Sequence, residues 1–180
     1  MENLLIPIKS LSDISQNYRQ TPIGDLLEYH NLNKPFLKHD SAKLLVSMCM
    51  DNRKHLHIPD NFAYIIRSGG ASLRYCEFKV SYAIAVGGVE HIALIGHTNC
   101  GMVDLFKRKD IFVQGLVDHA GWTEASAIQH FEDYSYQYEI GNEIGFILRE
   151  VKRLRLIYPK LVVAPLLYRV EDNLLYMIQE

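Results

Sequence analysis

Three side chains that are good zinc ligands lie in two short motifs of this 180-residue chain. Cys49 begins the motif C-M-D-N-R, and His97 and Cys100 belong to the motif G-H-T-N-C-G. Thiolate sulfur and imidazole nitrogen are the donors that zinc prefers in a tetrahedral site. A lone cysteine at a strand end is usually a small buried hydrophobe, but the two motifs together are much rarer by chance. The pattern therefore predicts that Cys49, His97 and Cys100 bind one zinc ion.

Two charged residues in the first motif indicate a catalytic site rather than a structural one. Structural zinc sites normally have four protein ligands, whereas three ligands and an open position are typical of catalytic sites. Asp51 could accept a hydrogen bond from a water on the metal, and Arg53 could hold that carboxylate in a bidentate pair. The alternative interpretation is a solvated ion pair on the surface, which would contribute little. We predict Asp51 and Arg53 as the catalytic residues.

Short apolar runs alternate with helical patterns along the chain. Strands are predicted at residues 43–48, 63–67, 91–95 and 161–167, with a fifth at 174–178, and helices at 22–29, 71–86 and 138–158. This alternation predicts an α/β fold, a single domain with a mostly parallel sheet of four to five strands flanked by helices. Within it, residues 1–40 are predicted to form an N-terminal helical arm, and residues 41–180 the zinc-binding α/β part.

The predicted strands explain how two distant motifs could form one site. Cys49 follows the first predicted strand directly, and His97 follows the third. The carboxyl ends of parallel strands lie at one edge of a sheet, where binding sites collect. We therefore expect both motifs to meet at that edge.

Composition limits the other classes of function. The formal net charge is −2 and the sequence pI is about 6.4, which gives no indication of binding to nucleic acid or to an anionic membrane. No apolar run approaches the roughly 20 residues that span a bilayer, and the first residues lack the pattern of a secretion signal. Three cysteines are too few for a disulfide framework, so a reducing, cytoplasmic location is predicted.

The two motifs resemble those of the β-class carbonic anhydrases. Residues 49–53 match that family's C-x-D-x-R motif, and residues 96–101 match its G-H-T-x-C-G motif. The segment IIRSGG at 65–70 is similar to a family strand that ends in I-R-N-A-G. The resemblance extends roughly over residues 44–102.

The resemblance implies a zinc enzyme that hydrates carbon dioxide to bicarbonate and a proton. It also implies a homodimer or an assembly of dimers. In such enzymes, the equivalent of Asp51 either pairs with the equivalent of Arg53 or takes the fourth position on zinc. Gly69 and Gly70 lie in the strand-end motif and are predicted to line the substrate pocket, where glycine allows close approach of the backbone.

The chain departs from the family pattern after Arg53. The segment 54–62 is shorter than in the family and contains no glutamine, which the family often places near the substrate. Gly101 and Met102 resemble a smaller, archaeal-type branch that includes hydrolases of carbon disulfide and carbonyl sulfide. Two alternatives to carbon dioxide hydration therefore stay open: hydrolysis of CS2 or COS at the same zinc site, and a non-catalytic zinc protein with a regulatory role.

Overall fold

A computed structural model describes residues 4–180 of the chain. Within this range the strands are β1 (Leu5–Pro7), β2 (Leu44–Cys49), β3 (Ala63–Ser68), β4 (His91–His97), β5 (Val162–Arg169) and β6 (Leu174–Ile178). The α-helices are α1 (Pro22–Leu32), α2 (Glu77–Ala85), α3 (Lys109–Ala120), α4 (Glu124–Tyr134) and α5 (Glu143–Ile157). No helix in residues 4–180 is long and apolar enough to cross a membrane.

The strands form one sheet in the order β1-β6-β5-β4-β2-β3. The four strands from β5 to β3 in that order are parallel, whereas β6 and β1 are antiparallel to their neighbours. The predicted α/β class with a mostly parallel sheet is therefore confirmed. The sheet has six strands rather than four to five because Leu5–Pro7 pairs with β6, and three residues are too few to show a period.

Helices bury both faces of the sheet. One face packs against α2 and α5 through a core that includes Leu45, Val80, Leu94, Ile147 and Leu154. The opposite face packs against α1 through a core that includes Leu26, Tyr29, Leu44, Val46 and Ala93. Strands buried on both faces appear in the sequence as continuous apolar runs, which is why β2 and β4 were recognisable. Their carboxyl ends are consequently fixed by packing from both sides.

Two predicted helices begin later than the sequence pattern indicates. The helix predicted at 71–86 begins only at Glu77, because Ala71 has a positive φ of 65° and Ser72 is extended with a ψ of 131°, and a right-handed helix can include neither. The helix predicted at 138–158 begins at Glu143, where the side chain of Asn142 caps it by accepting from the backbone of Gly145 at 2.7 Å.

Candidate metal centre

The predicted zinc ligands meet at the carboxyl ends of two neighbouring strands. Cys49 is the last residue of β2 and His97 the last of β4, and these strands pair directly in parallel. Cys100 follows in the turn after β4, where Asn99 has a positive φ of 56° that folds the loop back. One donor atom from each of the three residues lies within 4.8 Å of the others. All three side chains are buried, with exposed fractions of 3%, 1% and 4%.

The imidazole of His97 presents an unused nitrogen to this cluster. Its Nδ1 lies 2.9 Å from the carbonyl oxygen of Thr98, which can only accept, so Nδ1 carries the proton. Nε2 therefore has a free lone pair, and it is buried without a hydrogen-bond partner in residues 4–180. Buried polar atoms are rarely left without a partner. A nitrogen lone pair beside two sulfur atoms fits a zinc ion, which satisfies all three donors.

The two cysteines of the cluster differ in protonation. A hydrogen bond from the Cys100 thiol lowers the pKa of Cys49 to about 3, with further help from the backbone N–H groups of Asp51 and Gly70. The pKa of Cys100 is raised, because its thiol donates to Cys49 and would otherwise place a second negative charge beside the first. One thiolate is thus present before any metal binds, and the cluster favours a cation.

Asp51 and Arg53 form a close ion pair beside the cluster. Arg53 Nη2 lies 2.6 Å from Asp51 Oδ2, and Arg53 Nε lies 3.0 Å from Oδ1. The backbone N–H of Arg53 also donates to Oδ1 at 2.9 Å. These donors hold the pKa of Asp51 well below its usual range, so the carboxylate is ionised. Asp51 Oδ2 lies 4.0 Å from His97 Nε2, which places the carboxylate next to the metal donors.

Arg67 fixes the loop that follows Cys49. Its guanidinium donates to the carbonyl oxygens of Cys49 and Asp51, each at 3.3 Å, and to that of Lys54 at 3.1 Å. Arg67 belongs to the IIRSGG motif, but that motif by itself predicts no role for it. Its position in β3, directly beside β2, is what brings it to this loop.

Two carboxylates fix the loop that carries His97 and Cys100. Glu171 accepts from Thr98 Oγ1 at 2.7 Å and from Asn99 Nδ2 at 2.8 Å. Glu143, at the start of α5, accepts from the backbone N–H of Cys100 at 3.2 Å. Neither residue was predicted, because both are distant in sequence and belong to no motif. Both ends of the metal-binding loop are therefore held by groups from elsewhere in the chain.

The two predicted pocket glycines occupy different positions. Gly69 lines a cavity of about 410 Å³ together with Met50, Ser68, Met102, Phe112 and Tyr138, among others. A Cβ atom at Gly69 would lie 2.9 Å from Tyr138 Cδ1, so a side chain there would crowd this lining. Gly70 instead donates its backbone N–H to Cys49 and has a positive φ of 62°. The carboxyl end of β3 thus supplies both a cavity wall and a donor to the cluster.

Comparisons with known proteins place these features in a family. A family model described as carbonic anhydrase matches residues 47–143, more than half of the chain. This segment contains every residue of the two motifs.

Several solved structures share the fold. The β-carbonic anhydrase isoform I of Trichomonas vaginalis is 19% identical, with a TM-score of 0.64 over 92% of this chain and 99% of that one. The carbonic anhydrase of Streptococcus mutans is 18% identical, with a TM-score of 0.62 over 92% and 100%. The apo form of a carbon disulfide hydrolase is 23% identical, with a TM-score of 0.56 over 75% and 77%. No curated protein is similar enough in sequence to match.

Proposed function

Because the chain belongs to the carbonic anhydrase family, we propose that it hydrates carbon dioxide to bicarbonate and a proton at a zinc ion. Cys49, His97 and Cys100 would hold that ion. The observation that carries the proposal is the buried, unpartnered Nε2 of His97 between two cysteines and an ionised Asp51. A structural zinc site would instead need a fourth protein ligand.

The chain's own residues would orient the reactants. A zinc ion held by these donors would lower the pKa of a coordinated water towards neutrality. Asp51 is an ionised acceptor and can take a hydrogen bond from the nucleophilic oxygen, so that the lone pair of that oxygen is directed at the substrate carbon. Arg53 keeps the Asp51 carboxylate in one orientation by donating to both of its oxygens. The three donor residues Cys49, His97 and Cys100 are buried, so little water would screen their attraction for the ion.

The cavity beside the site favours a small apolar substrate. Its walls are mainly apolar side chains, and it extends along Met50, Ser68 and Gly69, which adjoin the ends of β2 and β3. Carbon dioxide is linear and apolar, and this lining would accept it without hydrogen bonds. CS2 and COS have the same properties, so the cavity supports hydrolysis of those molecules as a second candidate activity.

We also propose that two copies of the chain associate through β3. This strand is the last in the sheet, and its outer edge carries the exposed side chains of Tyr64 and Ile65. Phe78 of α2 is 82% exposed beside it. An exposed apolar edge strand is a template for pairing, and pairing with a second copy would bury it by two-fold symmetry.

Metal analysis and a hydration assay test the proposed activity. We expect about one zinc per chain, lost in Cys49→Ser and in Cys100→Ser, and stopped-flow hydration of carbon dioxide between roughly pH 6 and 9. Folded protein without affinity for zinc would refute the metal site. Zinc-loaded protein that is inactive towards carbon dioxide but hydrolyses CS2 or COS would establish the second candidate instead. Inactivity towards all three would support a non-catalytic role.

Sedimentation analysis tests the proposed dimer. We expect Ile65→Lys to produce monomers, because it places a charge in the centre of the paired edge. Leu156→Lys is the matched control, since Leu156 is 77% exposed on α5 and lies away from β3. A dimer that survives Ile65→Lys but is lost in Leu156→Lys would place the interface elsewhere.

A further inference from the structure

A completely buried lysine lies behind the Asp51 carboxylate. Lys54 has an exposed fraction of 0%, although lysine is almost never fully buried unless it is paired. Its Nζ lies 3.1 Å from the carbonyl oxygen of Asp51 and 3.7 Å from Oδ1 of the same residue. Among residues 4–180, Asp51 is the only residue whose carboxylate lies within 4.0 Å of this ammonium group. Lys54 and Asp51 are therefore partners.

Arg53 and Lys54 hold Asp51 from two sides, but solvent screens them differently. The Arg53 side chain is 45% exposed, whereas the Lys54 side chain is inaccessible. Exposed ion pairs are weakened by water and salt, and buried ones much less so. The attraction between Lys54 and Asp51 should therefore be screened less than the attraction between Arg53 and Asp51, even though the Lys54 contact is longer.

Lys54 adds a second cation beside the Asp51 carboxylate. Two thiolates balance the charge of a divalent metal ion, and Asp51 adds one negative charge that Arg53 balances. The remaining charged groups that face Lys54 are Cys49 and Cys100, which attract it, and Arg67, which repels it. A divalent ion, two thiolates, Asp51 and Arg53 sum to zero, and Lys54 and Arg67 each add one positive charge. Without Lys54, Arg53 would have to oppose the attraction between Asp51 and a bound metal ion by itself.

We propose that Lys54 is a positioning residue that, together with Arg53, keeps the Asp51 carboxylate from becoming the fourth ligand of a bound metal ion. The inference rests on the proposed function, because it concerns the same metal site. Lys54 does not touch the reacting atoms. It acts through Asp51, and its removal should let Asp51 close the site.

Cobalt(II) in place of zinc tests this inference, because its visible absorption reports the identity of the fourth ligand. Thiocyanate displaces a bound water from cobalt but competes poorly with a protein carboxylate. Lys54→Gln keeps a donor for the Asp51 carbonyl but removes the charge. We expect this variant to bind thiocyanate at least about tenfold more weakly than the wild type does. Lys54→Arg keeps the charge, so its cobalt spectrum and its thiocyanate affinity should match those of the wild type.

The Asp51→Asn background separates positioning from simple attraction of the anion. In that background Lys54→Gln should leave the thiocyanate affinity unchanged, because no carboxylate remains to enter the metal site. A weakening of similar size there would overturn the inference, and so would equal affinities in wild type and Lys54→Gln. If Lys54→Gln does not fold, Lys54→Met fills the same buried volume without charge and replaces it in both comparisons.

The cobalt experiment also separates this inference from the proposed function. Protein that shows these spectral changes but hydrates no carbon dioxide would refute the proposed activity and still support the role of Lys54. Protein that binds no cobalt would refute the metal site and the inference together.

Discussion

Arg53 donates through Nη2 to the backbone carbonyl of Asn99 at 2.9 Å and so links the two metal-binding loops. The same guanidinium nitrogen donates to Asp51 Oδ2 at 2.6 Å. One side chain therefore orders the predicted catalytic carboxylate and the loop that carries His97 and Cys100.

The first prediction concerns this link. Arg53→Gln removes the bidentate partner of Asp51 and the contact to Asn99, and we expect kcat to fall by about 10–100-fold while zinc is retained. Stopped-flow assays measure kcat, and metal analysis of the same preparation measures the zinc content. Arg74→Gln is the matched control, since Arg74 pairs with Glu150, away from the metal centre. Undiminished turnover in Arg53→Gln would show that Asp51 needs no such support.

The second prediction follows from the unequal cysteines. Cys49 is already a thiolate near pH 7 because its pKa is lowered to about 3, whereas the raised pKa of Cys100 keeps that thiol protonated. Since a metal ion requires both sulfurs as thiolates, zinc binding should release about one proton, and affinity should rise about tenfold per pH unit from pH 6 to 8. Calorimetry in buffers of different ionisation enthalpy counts the protons.

Cys76→Ser is the control for this proton count, because Cys76 lies outside the cluster and its loss should leave the number unchanged. Release of two protons on zinc binding at pH 6, where a zinc-bound water would keep most of its proton, would contradict the prediction, since it would mean that both cysteines are thiols in the metal-free protein.

The third prediction concerns the hydrogen bonds that Glu171 accepts from the loop that carries His97 and Cys100. Glu171→Ala removes the acceptor of both Thr98 and Asn99, so that the loop bearing two ligands loses its anchor. We expect zinc affinity to fall about tenfold, as found for residues that orient metal ligands. Chelator competition measures this. Glu180→Ala removes a carboxylate that pairs with Arg155 and should leave zinc affinity unchanged. Equal affinities in the two variants would contradict the role of Glu171.

The fourth prediction concerns Gly70. A Cβ atom there would lie 2.7 Å from Ile140 Cγ2, and the positive φ of 62° disfavours any L side chain. Gly70→Ala should therefore lower the free energy of unfolding by about 1–3 kcal/mol. Gly115→Ala is the opposite case, because Gly115 lies within α3 with open space around it, and alanine should stabilise that helix by about 0.5–1 kcal/mol. Thermal or urea unfolding distinguishes the two, and a neutral Gly70→Ala would contradict the argument.

Much of the fold could be predicted because periodicity is a local property. The apolar runs of β2 and β4 and the stripe of α5 each occur within one short segment. The helices α3 and α4 and the strand β1 were not predicted. Val113 is the only buried residue of α3, so the sequence of this helix shows little difference in hydrophobicity between its two faces. β1 exists only because β6 offers it an edge.

The sequence by itself determined the donor set, since Cys49, His97 and Cys100 have the chemistry of zinc ligands wherever they are placed. It also determined that Asp51 and Arg53 would be neighbours, because only Asn52 lies between them and their side chains can reach each other. Only the tertiary structure decided that Lys54 is buried against Asp51 and that Glu171 holds Thr98 and Asn99. Burial and contacts between distant segments depend on how the sheet and helices pack, and no local pattern of residues contains that information.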